Sequence, residues 1–268
     1  MFARRTGAAA LALVAGTALV ACGSSSSSAS KPKTSTTTEP KVTGTITVSA
    51  AASLTEAFGK IGTDFSTANP GATVTFNFGS SGTLATQIQQ GAPADAFASA
   101  DPANVDTLIQ AGLVDDRATV FANNKLVIVT KPGNPKHVKT LADLVTVGVV
   151  SLCGETVPCG KYADQVLTSA GVTIPTDTIT RGADVKATLA AVTTGDADAA
   201  IVYVTDAKTA GSAVTAVTIP DDQNAIATYP IAVLKATGNA PTTQAFVAYV
   251  VGPKGQATLK SYGFLPPT

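Results

Sequence analysis

"GTITVSAAASLTEAFGKIGTDFSTANPG", residues 44–71, decides how the rest of the chain is read. Its opening run is extended in character, with β-branched Thr45, Ile46, Thr47 and Val48 in succession. Leu54, Ala57, Phe58, Ile61 and Phe65 then recur at helical spacing, and Asn69-Pro70-Gly71 ends the pattern. A strand that hands over to a helix in this way begins a βα unit. More units follow: "ATVTFNF" (72–78) reads as a strand, "TLATQIQQG" (83–91) as a helix, "ADAFASA" (94–100) as a strand and "PANVDTLIQAGLV" (102–114) as a helix. Such alternation predicts an α/β protein with mostly parallel sheets flanked by helices.

From "NKLVIVTKPG" (124–133) the pattern restarts. Helices are expected at "TLADLV" (140–145), "KYADQVLTSAG" (161–171) and "VKATLAAVTTG" (185–195), and strands at "VTVGVVS" (145–151) and "AAIVYV" (199–204). Strand-like "YPIAVLKA" (229–236) follows, and the last stretch, 243–264, reads as two helices. Two successive α/β sets suggest two lobes, 42–124 with 229–268 and 125–228. The chain would cross between them near Phe121 to Leu126 and near Ala227 to Ile231.

Residues 1–41 read as a leader and a tether. Arg4 and Arg5 precede the apolar "GAAALALVAGTALVA" (7–21), which is shorter than the ~20 residues of a membrane-spanning helix. It runs into Leu19-Val20-Ala21-Cys22, which resembles a bacterial lipobox, so residues 1–22 are expected to be a lipoprotein signal peptide with Cys22 as the acylated residue. The alternative is an ordinary signal peptide whose Cys22 is incidental. Residues 23–41, rich in Ser, Thr, Lys and Pro, read as a flexible tether. With 18 Lys+Arg against 18 Asp+Glu, the chain has no bias that would draw it to nucleic acid, and its partner is expected to be small. Of the three cysteines, Cys153 and Cys159 remain, six positions apart in an oxidising compartment, where a short-loop disulfide is the natural expectation and a buried free thiol the alternative.

Four places share one local grammar, a strand-like run, small or hydroxyl residues, then a helix start: Ala52-Ser53, Ser80-Ser81-Gly82, Pro158-Cys159-Gly160 and Ala183-Asp184-Val185. Capping explains any one of them, with Ser53 and Glu56 forming a capping box and Asp184 a good N-cap. Taken together they suggest more. Helix starts carry unpaired N–H groups and partial positive charge, and in open α/β sheets they converge at the carboxyl ends of the strands, where an anion can bind. Catalytic readings lack parts: the sole histidine, His137, lies in Lys/Pro-rich "KPGNPKHVK" (131–139), and "GSSG" (79–82) lacks nucleophile-elbow spacing. Dinucleotide and P-loop glycine motifs are missing as well. Asp115-Asp116 and Asp221-Asp222 read as solvated turn residues, and Arg181 and Lys186 either steer an anion or face water.

The segments "ITVSAAASLTEAF" (46–58), "FGSSGTLATQIQQGAPADAFASAD" (78–101), "NKLVIV" (124–129), "VPCGKYA" (157–163), "GADVKATLAAV" (182–192), "AIVYVTDA" (200–207), "YPIAVLK" (229–235) and "YGF" (262–264) resemble, in matching order, the ModA family of molybdate-binding proteins of ABC importers. The resemblance implies a two-lobed periplasmic-binding-protein fold (type II) with the ligand cleft between lobes. It implies an oxyanion site in which Ser53 and Ser81 give hydroxyl and backbone donors, Cys159 and Val185 give backbone N–H groups, and Tyr203 gives its phenolic O–H. Molybdate or tungstate would be held through these five residues, with no separate cofactor and no catalytic residue. Cys159 stands where the family often has Ala, so a bridge to Cys153 would stiffen the ligand loop. Tyr203 could instead be a plain core aromatic in a buried strand. Expected partners are an ABC permease with its ATPase, and the membrane through Cys22. The expected location is the extracytoplasmic face of the cell membrane, and the expected state is monomeric. The readings set against this one are a carrier of sulfate, thiosulfate or another oxyanion, and a secreted hydrolase using Ser53 or Ser81.

Overall fold

Ile46, Val48, Ala50 and Ala51 are buried along the first strand, whose second half is covered on both faces, as a strand flanked by helices must be. A computed structural model of the chain describes residues 42–114 and 117–267. The expected acylation of Cys22, the leader, the tether, Asp115 and Asp116 therefore lie outside the described residues. In chain order the strands are β1 (Gly44–Ala51), β2 (Ala72–Gly79), β3 (Ala96–Ala98), β4 (Thr119–Thr130), β5 (Val150–Cys153), β6 (Ile179–Gly182), β7 (Ala199–Tyr203), β8 (Thr215–Thr218) and β9 (Ile226–Val233). The helices are α1 (Thr55–Ala68), α2 (Ser81–Gln89), α3 (Pro102–Gln110), α4 (Pro158–Ser169), α5 (Val185–Thr193), α6 (Val204–Ala210), α7 (Ala240–Val251) and α8 (Pro253–Tyr262).

The strands run in the order β2-β1-β3-β9-β4-β7-β5-β6, with β8 also paired to β4. Pairings at the two ends are parallel: β1 with β2 and β3, and β5 with β6 and β7. In the middle they are antiparallel, where β9 meets β3 and β4, and β4 meets β7 and β8. The sheet is thus mixed rather than mostly parallel, because β4 and β9 run against their neighbours where the two α/β sets join. The long strand β4 changes partner midway: Thr119–Lys125 face β9, and Leu126–Thr130 face β7 and β8.

Aromatic rings fill the space between α1 and the first strands. Phe58 lies 5.5 Å from Phe121, 6.0 Å from Phe76 and 6.1 Å from Phe246 between ring centroids, which brings α1, β2, β4 and α7 together. Gly62 allows this approach, since a Cβ there would stand 2.6 Å from the Phe76 ring. Two expectations change. "TLADLV" forms a 3-10 turn, Leu141–Val145, not an α-helix. Residues 146–149 are not strand, and β5 begins at Val150. β6, β8 and α6 had no clear signal, each being short and lacking a long periodic run.

Candidate functional site

Five helix starts face one another across the ends of the strands. Ser53 sits in a 3-10 turn, Ala52–Leu54, that leads β1 into α1. Ser81 is the first residue of α2, Cys159 is in the first turn of α4, and Val185 opens α5. Tyr203 ends β7 and precedes α6. All five line one small cavity of about 20 Å³, and each is almost fully buried. That volume is a little more than the ~10–15 Å³ needed by a single water.

No Lys or Arg is among the described residues that line it. Its polar character comes from hydroxyls and from first-turn N–H groups, which have no acceptor within their own helix. Tyr203 is 1% exposed, and its hydroxyl has no hydrogen-bond partner among the described residues. Burial pushes its phenol well above the usual range, so the group remains an O–H donor. The reading of Tyr203 as a core aromatic and its reading as a cavity residue both hold, since the ring is buried at the cavity wall.

The serines differ from what capping rules predict. Ser53 is no cap: its Oγ lies 2.9 Å from the Tyr229 hydroxyl, and Glu56 turns to Lys186, so the expected capping box is absent. The cap of α2 is Ser80, whose Oγ accepts from the Thr83 N–H at 3.3 Å. This leaves Ser81 Oγ to accept the buried Ala100 N–H at 3.0 Å. Asp184 does cap α5, accepting from the Ala187 N–H at 2.9 Å. That commitment explains how a carboxylate can stand beside a cavity otherwise lined by donors.

Cys153 and Cys159 are joined, linking the end of β5 to the first turn of α4. Thr188 of α5 donates to Cys153 Sγ at 3.2 Å, so the bridge lies between the two helices that carry Cys159 and Val185. The α4 start is packed tightly here, since a Cβ on Gly160 would stand 2.0 Å from the Gly154 carbonyl oxygen.

The basic residues near the α5 start are occupied elsewhere. Arg181 donates to the Cys153 carbonyl and to Glu155. Lys186 holds both Glu56 carboxylate oxygens at 2.8 Å and Asp206 at 3.1 Å. Each member of this triad follows a cavity residue by one to three positions: Glu56 after Ser53, Lys186 after Val185, Asp206 after Tyr203. The two partners of the Lys186–Asp206 pair respond differently. Burial opposes the Lys186 charge, but Asp206 and Glu56 together outweigh it and hold its pKa above the ordinary value. Asp206 is wholly buried with that one cation, so desolvation dominates and its carboxyl is raised to about 6. A second ion pair, Lys161 with Asp101 at 3.4 Å, joins α4 to the start of α3. His137 is exposed in the loop after β4, at φ 56°, and does not line the cavity. Asp221 pairs with Lys125 at the surface. The triad and the Ser53–Tyr229 contact escaped sequence reading because their members are far apart in the chain.

Comparison with known proteins gives the family and the fold. The family described as "Bacterial extracellular solute-binding protein" matches residues 46–265. The molybdate-binding protein ModA of Mycobacterium tuberculosis is 41% identical over 263 residues, covering 98% of this chain and 97% of that protein. Among solved structures, the periplasmic molybdate-binding protein of Azotobacter vinelandii matches with a TM-score of 0.75 at 23% identity, covering 83% of this chain and 100% of that one. The sulfate-binding protein SubI of Mycobacterium tuberculosis matches with a TM-score of 0.75 at 20% identity, covering 83% and 86%. At those identities the two structures speak for the fold, a periplasmic-binding-protein fold. The chain belongs to the ModA family of bacterial extracellular solute-binding proteins.

Proposed function

We propose that the chain captures molybdate or tungstate outside the cytoplasm and delivers it to an ABC permease and its ATPase, with Ser53, Ser81, Cys159, Val185 and Tyr203 holding the anion. One observation carries the reading: five helix starts meet at a cavity of about 20 Å³ in which no described lining residue is a cation and a buried tyrosine O–H lacks a partner. A tetrahedral dianion entering it must exchange its water shell for fixed donors, and neutral dipoles supply them without the desolvation cost of a buried ammonium or guanidinium. Hydrogen phosphate brings an O–H that needs an acceptor, which first-turn N–H groups do not supply, and this disfavours it. Sulfate has the right charge and is smaller, so its rejection depends on fit. Tungstate, nearly the same size as molybdate, is expected to bind about as well.

On this reading the protein performs no chemistry on its cargo. Among the described residues Ser53 and Ser81 have no histidine or lysine partner that could act as a base, and their oxygens are engaged by Tyr229 and Ala100. Residues 42–124 with 229–268 and residues 125–228 act as two lobes hinged in β4 and β9, and ligand favours the closed form because contacts from both sides coexist only there. The Lys186–Glu56 and Lys161–Asp101 pairs, each joining one proposed lobe to the other, support that reading. The lipobox-like sequence around Cys22 supports lipid anchoring on the outer face of the membrane. Isothermal titration with molybdate, tungstate, sulfate and phosphate tests the proposal. Tight binding of the first two is expected, with Ser53→Ala weakening it; a sulfate preference would reassign the cargo, and silence with all four would overturn the site.

A further inference from the structure

Behind Ser53 runs a chain of buried polar groups whose direction can be worked out. Asn124, on β4 where that strand changes partners, is fully buried. Its Oδ1 accepts the Lys125 N–H at 3.0 Å, which fixes the orientation of the amide. Its Nδ2 therefore carries both hydrogens, one directed to Thr205 Oγ1 at 2.9 Å and the other to the Tyr229 hydroxyl oxygen at 3.4 Å. Tyr229, from β9, is fully buried, and its ring is set edge-on against Phe121, Tyr203 and Phe264. With Asn124 donating to its oxygen, Tyr229 can place its one proton on Ser53 Oγ, 2.9 Å away. In that arrangement the Ser53 hydroxyl accepts from Tyr229 and keeps its own proton for the cavity. Burial raises the Tyr229 phenol far above its ordinary range, so the donor persists at any physiological pH.

We propose that Tyr229 is a positioning residue of the anion site: by donating to Ser53 it leaves the Ser53 proton to point at the bound anion. The inference rests on the proposed function only in taking Ser53 as an anion contact. Successive hydrogen bonds in one direction polarise each other, so the Ser53 O–H is also a stronger donor for being third in the row.

The test is a double-mutant cycle on the full chain with Ser53→Ala, Tyr229→Phe and both together, titrated with molybdate. The phenylalanine keeps the ring packing. Tyr229→Phe alone should weaken molybdate binding by roughly two- to fourfold, since a cooperative partner strengthens a hydrogen bond to a charged group by about 10–30%. In the Ser53→Ala background it should have no further effect. Equal losses in both backgrounds, or none in either, would overturn the proposal while leaving the anion site intact; absence of molybdate binding by the parent chain would instead sink the proposed function. Should Tyr229→Phe fail to fold, Asn124→Ala is run through the same cycle, with a smaller loss in the same direction expected and an additive one counting against the proposal.

Discussion

Replacing Tyr203 by Phe separates what the hydroxyl does for binding from what it does for folding. The ring is 1% exposed and stands 6.0 Å from that of Tyr229, contacts that a phenylalanine preserves. The hydroxyl has no partner among the described residues, so the ligand-free fold carries a desolvated polar group with little return. Removing it should leave the empty protein as stable as the parent or more stable, by about 1 kcal/mol. Bound anion would lose a hydrogen bond to a charged group, worth about 1.5–3 kcal/mol, or a ten- to hundredfold rise in Kd. Calorimetry with molybdate and thermal unfolding of the ligand-free chain measure the two quantities on one preparation. A variant that melts markedly earlier, or that binds molybdate as tightly as its parent, would refute the reasoning, because the hydroxyl would then serve the core or face away from the ligand.

Ser81→Ala should behave in the opposite way in the empty protein: it orphans the buried Ala100 N–H and should cost about 1–3 kcal/mol in chemical denaturation, besides weakening molybdate binding. Replacing Cys153 and Cys159 together by Ser opens a short covalent loop and should lower stability by about 2 kcal/mol on the chain-entropy account, read as a shift in denaturation midpoint. Asp206 predicts a pH dependence. Its folded value of about 6 exceeds the ordinary 3.8, so its stabilising contribution is complete below about pH 3.8 and is lost as pH rises through 6. At about 1.4 kcal/mol per pH unit that interval is worth about 3 kcal/mol. Asp206→Asn should therefore flatten the fall in stability between pH 4 and 7, and curves that stay parallel to those of the parent would contradict the buried charge.

Local pattern carried much of the site. The strand-to-helix handovers at Ser53, Ser81, Cys159 and Val185 were legible because β-branched runs, turn residues and helical spacing lie next to one another in the chain. Which hydroxyl caps a helix was not legible. Ser80 and Ser81 are chemically alike, and the choice depends on where the Ala100 N–H arrives from another strand end. Ser53 and Glu56 satisfy the capping-box spacing, yet each found a partner across the fold, Tyr229 and Lys186, 176 and 130 residues away in sequence. Lys186 looked free to steer an anion, because nothing nearby in sequence announces Asp206. The mixed sheet was missed for a related reason: strand direction in β4 and β9 is set by pairings between distant segments, and hydrophobic period is the same either way.

That no described residue lining the cavity is a cation has a consequence at longer range. A dianion held by dipoles alone is solvated without being neutralised, so its charge is still felt beyond the cavity. Around the cleft mouth, the full and empty forms would differ in electrostatic potential even where their surfaces coincide. A receptor with positive groups at that mouth could then sense cargo through the field it projects, with no large change of shape needed to announce it.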